Sequence, residues 1–331
     1  MTVYFLLVLA LVILFLAYSV LKIKYSPSVS IPGQALNHDR GSISQLYEHV
    51  KHLSVQIGSR SVHDYDAIEA TKNYIESTLQ NLGYAPTCQD YEYNGRVYSN
   101  IIASIRGAEY PGETIVIGAH YDTVYGTPGA DDNASAVALL LELCRALRDF
   151  SPKRTLKLIF FTLEEPPLFR SRFMGSYVYA REAKRKEENI RAMVCLEMVG
   201  YYGDKKGNQS FPLPFMSFFY STTPDFIAVV GNLKSKYLVK SIKSTLNKSS
   251  EIPVETLTTI GLVPGVDFSD HRSFWKMGYP AVMITDTAFY RNPNYHSARD
   301  TIDTLNFDKM SQLLDGLAGV AKDLSDSPPH P

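Results

Sequence analysis

Residues 118–136 read GAHYDTVYGTPGADDNASA: one imidazole (His120) and three carboxylates (Asp122, Asp131, Asp132) set among glycines. The stretch lies between two apolar runs, TIVI before it and VALLLELCRAL after it. The same kinds of group recur where later apolar runs end. KLIFFTL at 157–163 is followed by Glu164 and Glu165, and AMVCL at 192–196 by Glu197. AVMIT at 281–285 is followed by Asp286, and His296 comes ten residues after that. Imidazole nitrogens and carboxylate oxygens without thiolates are the donor set of zinc or a similar divalent ion. Singly, each group has an ordinary reading. Asp132 suits a helix N-cap, a lone histidine suits a hydrogen-bonded support, and Glu164-Glu165 suits a solvated turn. Gathered in one cleft they would be charges without partners, and bound cations supply the partners.

The elements around these groups place them together. Amphipathic helices are expected over 42–57 and 64–82, then strand-like segments at 87–93, 99–105 and 114–119. A helix over 135–148, a strand at 157–163, a helix over 176–186 and a strand at 192–200 follow. The last expected elements are a strand at 226–231, a helix over 234–246, a strand at 281–286 and a helix over 307–323. Apolar strands alternating with amphipathic helices predict an α/β fold. The expectation is a single domain with a central, mostly parallel mixed β-sheet flanked by helices. Ligand sites of such folds gather at the carboxyl ends of the strands, where the acids and histidines fall. The aromatic stretch FMSFFY at 215–220, with Phe268, Phe289 and Tyr290, offers an apolar pocket beside them.

The series HYD…GADDNAS…EE…LEM…SDH…YH resembles the zinc exopeptidases of peptidase family M28 over about residues 40–322, in order and spacing. The phrases EEPPLFRSRFMGS and DTIDTL are similar to its bacterial branch. The resemblance implies two zinc ions per chain. It matches His120, Glu165, Glu197 and His296 to terminal ligands and Asp132 to a carboxylate bridging both ions. Glu164 matches the general base, and Asp122 the carboxylate that orients His120. Asp131 and His271 match positions that support the site without ligating. Two departures stand out: many relatives carry Asp where this chain has Glu197, and Gly where it has Ala136. The implied activity is a zinc-dependent aminopeptidase acting on peptides with a free N-terminus. The alternatives are a single-zinc acyltransferase resembling glutaminyl cyclase, or a peptidase-like domain without catalysis.

The run at 3–21, VYFLLVLALVILFLAYSVL, is uncharged and as long as a bilayer is thick. It predicts a single-pass membrane anchor over 1–24, a linker over 25–41, the catalytic domain over 42–323 and a disordered tail over 324–331. Two lysines after the run favour a cytoplasmic domain by the positive-inside rule. The family resemblance favours an extracytoplasmic one, and that is the expectation adopted. A net charge of -1 gives no electrostatic footprint for nucleic acid. Cys88, Cys144 and Cys195 stand singly with no CxxC spacing, which argues against a cysteine zinc site.

Overall fold

The computed structural model describes residues 40–260 and 263–327. The expected anchor at 1–24 lies outside them, as does the linker up to residue 39. Among the described residues no helix is long and apolar enough to cross a membrane. The linker's last two residues are instead the start of helix α1 (Arg40–Lys51), whose first turn is tied to the C-terminal helix by Ser42 Oγ and Ser311 Oγ at 2.9 Å. The tail also begins later than expected. Helix α7 (Phe307–Asp326) continues past 323, because Leu324 packs on the core and Ser325 is buried.

Eight strands form one sheet. In chain order they are β1 (Thr87–Tyr93), β2 (Arg96–Ile105), β3 (Tyr110–His120), β4 (Arg154–Phe161), β5 (Asn189–Glu197), β6 (Ile227–Asn232), β7 (Val254–Thr259) and β8 (Ala281–Thr285). Their spatial order is β1-β2-β4-β3-β5-β8-β6-β7. The central four, β4-β3-β5-β8, are mutually parallel. A β1–β2 hairpin closes one side antiparallel, and the parallel β6–β7 pair joins β8 antiparallel on the other. The remaining helices are α2 (Tyr65–Asn81), α3 (Ala136–Leu147), α4 (Gly175–Arg185), α5 (Lys236–Ser249) and α6 (His271–Lys276).

The sheet divides the core in two, as the alternation of strand side chains requires. From β3, Ile115, Ile117 and Ala119 face the layer of α1, α3, α5 and α7. Val116 faces the thinner layer of α4 and α6. Gly118 follows on that second face, and the Phe161 ring occupies the space: a Cβ there would lie 2.5 Å from Phe161 Cε2. In α3 every residue from Ala136 to Cys144 is buried, Glu142 among them with His49 and Arg145 as its partners, so most of the helix lies inside the domain. Removing one of its leucine side chains would cost about 2–5 kcal/mol.

Two elements escape the sequence reading. Strand β7 is an edge strand, VETLTT, half-exposed along most of its length. Helix α6 is only six residues long, too short for a helical period to register. For the site, the decisive feature is that the central parallel strands deliver all their carboxyl ends to one edge.

Candidate metal centre

His120 is the last residue of β3 and Glu197 the last of β5. Glu164 and Glu165 follow the end of β4 by three and four residues. Asp132 sits in a kinked turn, Ala130–Ser135, non-helical at Asp132 and Asn133, that leads from β3 into α3. His296 lies on the loop beyond β8. The backbone leaves its usual regions at three of these points. Leu163 before Glu164, Met198 after Glu197 and His296 itself have φ of 57°, 44° and 54°. Left-handed backbone costs a non-glycine residue on the order of 1–2 kcal/mol, and such strain concentrates where function over-determines the conformation.

The side chains converge in three overlapping groups, two of which share Asp132. His120 Nε2 lies 3.4 Å from Asp132 Oδ1 and 3.4 Å from Glu197 Oε2. His296 Nε2 lies 3.2 Å from Asp132 Oδ2 and 3.3 Å from Glu165 Oε2. The two oxygens of Asp132 therefore face two different imidazoles. Glu164 gathers with His120 and Glu165. Donors held about 2.0–2.1 Å from a tetrahedral zinc lie about 3.3 Å from one another, and these four separations match that spacing. Asp132 Oδ1 and Glu165 Oε1 are buried without a hydrogen-bond partner, as oxygens reserved for a cation would be. The residues present thus fit a divalent metal.

Electrostatics agree. Four carboxylates (Asp132, Glu164, Glu165, Glu197) are buried beside one buried imidazole, His120, and one half-buried, His296, so even doubly protonated histidines leave ionised carboxylates in excess. Burial pushes Glu164 well above the usual carboxylate range. Burial and the adjacent Asp132 push Glu165 up to about 8. Burial also raises Glu197 against the pull of His120. At Asp132 burial is outweighed by His120 and His296, which hold it below the ordinary range. At His296 burial is outweighed by Asp132 and Glu165, and the imidazole rises to about 10. Without metal the site holds protons; a divalent ion would displace them.

The surrounding polar groups hold this constellation. The carboxylate of Asp122 accepts the backbone N–H groups of Glu164 (3.1 Å) and Glu165 (3.0 Å). It lies 3.5 Å from His120 Nδ1, which is nearer to Asp122's own backbone carbonyl at 3.2 Å. Asp122 therefore fixes the glutamate pair at least as firmly as the histidine, which its spacing in the sequence does not reveal. Asp131 accepts from Gly200 N–H and from Asn292, and stays out of these donor groups. His271 is buried with Nε2 2.8 Å from the Val266 carbonyl, and burial lowers it to about 4. Asp286, at a strand end, accepts Tyr201 and Ala288 N–H groups instead of joining the cluster. Sequence reasoning missed Ser269, which donates to Glu197 Oε2 at 2.5 Å, and Asn133, whose amide bridges the Leu196 carbonyl and the Met198 N–H. It also missed Arg60 and Asp300. Asp300 stands in DTIDTL just after His296, Ser269 in SDH and Asn133 in GADDNAS, but none of these motifs gave them a role.

A solvent-open cleft of about 820 Å³ adjoins the cluster at Glu197. Met216, Tyr220, Phe268, Phe289 and Tyr290 line it, along with Met283 and Tyr295. From the aromatic stretch at 215–220, Phe218 points to solvent instead, 82% exposed.

An open α/β sheet with imidazole–carboxylate groups gathered at its strand ends presents a candidate metal centre. The family is equally clear: the chain belongs to peptidase family M28, whose model matches residues 100–321. YfbL of Escherichia coli (strain K12), described as uncharacterized, is 41% identical over 316 residues, covering 93% of this chain and 96% of that protein. Leucine aminopeptidase 1 of Metarhizium robertsii is 30% identical over 240 residues, 68% of this chain; the match spans 54% of that enzyme's length. Among solved structures, the zinc aminopeptidase BSAP of Bacillus subtilis matches with TM-score 0.68 at 15% identity, covering 87% of this chain and 96% of that one. A Bacteroides thetaiotaomicron glutaminyl cyclase matches with TM-score 0.64 at 20% identity, covering 85% and 97%. At these identities the likeness is one of fold.

Proposed function

We propose that the protein is a two-zinc aminopeptidase that removes N-terminal residues from peptides. The observation that carries this reading is the division of Asp132, one oxygen toward the His120–Glu197 group and the other toward the His296–Glu165 group. His120 and Glu197 would hold one ion, His296 and Glu165 the other, and Asp132 both. Such ions, when bound, supply Lewis acidity and acidify a water. Glu164 stands in the same cluster but outside both groups that share Asp132. Its carboxylate would take the proton of the attacking water and return it to the leaving amine nitrogen. Burial raises its affinity for that proton.

The choice of the amino end rests on charge. Glu164 and Glu197 offer the substrate ammonium a negative wall. The nearby arginines are otherwise engaged: Arg272 pairs with Asp267, and Arg291 is buried on Gln209 and the Phe226 carbonyl. None of the described residues lining the cleft is Lys or Arg. The apolar lining beside Glu197 favours an apolar first side chain.

The test is a panel of aminoacyl amides, free and N-acetylated, with zinc counted per chain. Cleavage restricted to free amines at two zinc ions supports the reading. Equal rates on acetylated substrates refute the aminopeptidase assignment, and one zinc with cyclisation of N-terminal glutamine replaces it with the cyclase. The uncharged run at 3–21 supports a single-pass anchor, and the family resemblance, against the two lysines that follow the run, supports an extracytoplasmic catalytic domain. Complete release by carbonate would refute the anchor, and protease protection of the domain in intact cells would refute its placement.

A further inference from the structure

Asp132 has to present two oxygens in two directions, and its Oδ1 is buried without a hydrogen-bond partner. The turn beneath it is held from both sides by residues remote in sequence. On one side is Arg60, 1% exposed, from the segment between α1 and α2. Its guanidinium donates to the carbonyls of Pro128 (2.8 Å) and Gly129 (3.0 Å) in that turn. It also donates to the Tyr121 carbonyl (3.0 Å), next to His120, and to those of Leu53 and Gly58 in its own segment. On the other side is Asp300, also 1% exposed. Its two carboxylate oxygens accept the N–H groups of Asp131 (2.9 Å) and Asp132 (3.0 Å), and its backbone carbonyl accepts that of Ala130 (3.2 Å).

The cation thus takes carbonyls and the anion takes amides of one five-residue stretch, 128–132. Gly129 shows how tightly the stretch is gripped. It sits at φ +58°, and a Cβ there would fall 2.4 Å from the Asp132 carbonyl oxygen and 3.0 Å from Arg60 Nη2. A buried guanidinium whose bonds are all to backbone carbonyls is costly unless its position matters, since five donors must be met in fixed directions.

We infer that Arg60 and Asp300 are positioning residues that act as a clamp on the 128–132 turn and so set the direction of the Asp132 carboxylate toward its two metal groups. Asp300 lies four residues after His296, so the loop carrying one proposed ligand also fixes the backbone of the shared one. Arg60 lies ahead of the residues matched by the family model, 100–321. The N-terminal helical segment is therefore a working part of the site. The inference rests on Asp132 as the shared ligand, and the experiment separates the two claims.

Arg60→Lys and Asp300→Asn keep size and polarity but lose the fork and the paired acceptors. Three measurements apply to each, with Asp132→Asn as the site control and Leu246→Ala, in α5, as a purely destabilising control. In the metal-free protein, hydrogen exchange of the 130–132 amides should lose its protection. Zinc affinity by chelator competition should fall about 10–100-fold, the usual effect of a residue that orients a ligand. The visible spectrum of the cobalt-substituted protein should change. Leu246→Ala should lower the melting temperature and move none of the three. Zinc affinity and cobalt spectra unchanged in both clamp variants, with affinity lowered in Asp132→Asn, overturn the inference. Retained amide protection in both variants overturns it as well. Unchanged affinity in Asp132→Asn overturns the reading of the site, while the exchange measurement still decides the clamp.

Discussion

Replacing Asp122 by Ala is the sharpest single test of how the site is held. The carboxylate accepts two consecutive buried N–H groups, those of Glu164 and Glu165, and stands 3.5 Å from His120 Nδ1. A hydrogen bond to a charged group contributes about 1.5–3 kcal/mol, so the two amides together are worth about 3–6 kcal/mol before the loop relaxes. Relaxation is the point: the amides would seek water, turning Glu164 and Glu165 away from His120 and His296. We expect zinc affinity to fall about 10–100-fold, or about 1.4–2.7 kcal/mol, with a further loss in kcat because Glu164 moves with its neighbour. Asp122→Asn retains one acceptor and turns an NH₂ toward the other amide, so it should fall between wild type and alanine. Chelator competition gives the affinity, and hydrogen exchange of the 164–165 amides shows whether the glutamate pair has been released. Undiminished affinity and kcat in Asp122→Ala would refute the reasoning. Lost affinity with fully protected 164–165 amides would return the role of Asp122 to His120 alone.

Asp132→Asn should lower occupancy of both proposed metal positions together, measured as zinc per chain; loss of only one ion would mean that Asp132 does not bridge. Glu164→Gln should keep its zinc and lose about 10²–10⁴ in kcat, the usual worth of a general base; loss of zinc instead would exchange the roles of Glu164 and Glu165. His271 is lowered by burial from 6.5 to about 4. Below pH 6.5 the unfolded chain binds a proton there that the folded chain refuses until about pH 4, so its contribution to stability is present above 6.5 and lost as the pH falls through that window. The loss amounts to about 3 kcal/mol. Denaturant titrations of metal-free His271→Gln should show a shallower decline between pH 6.5 and 4 than wild type, and parallel curves would contradict the assignment.

The candidate metal donors were legible in the sequence because a parallel sheet converts one-dimensional spacing into place. An apolar run that becomes a strand delivers whatever follows it to the carboxyl edge, so His120, Glu164, Glu165 and Glu197 could be read from the ends of TIVIGA, KLIFFTL and AMVCL. The motif resemblance added His296 and the special standing of Asp132, which strand ends alone do not give. Asp286 marks the limit of the rule: it too follows a strand, but two backbone N–H groups occupy its oxygens. The division of the Asp132 oxygens between two imidazoles was not legible, because it depends on a non-helical turn with φ of -103° at that residue. Nor were Arg60, Asp300 and Ser269, since a side chain that bonds to backbone or to a ligand from a distant loop leaves no periodicity and no fixed spacing. Even Asp122, read beside His120, revealed its hold on the 164–165 amides only when β3 and β4 lay side by side. Sequence order settles which groups reach the edge of the sheet; only tertiary packing, which brings residues 60, 132 and 300 to one point, settles which way they face.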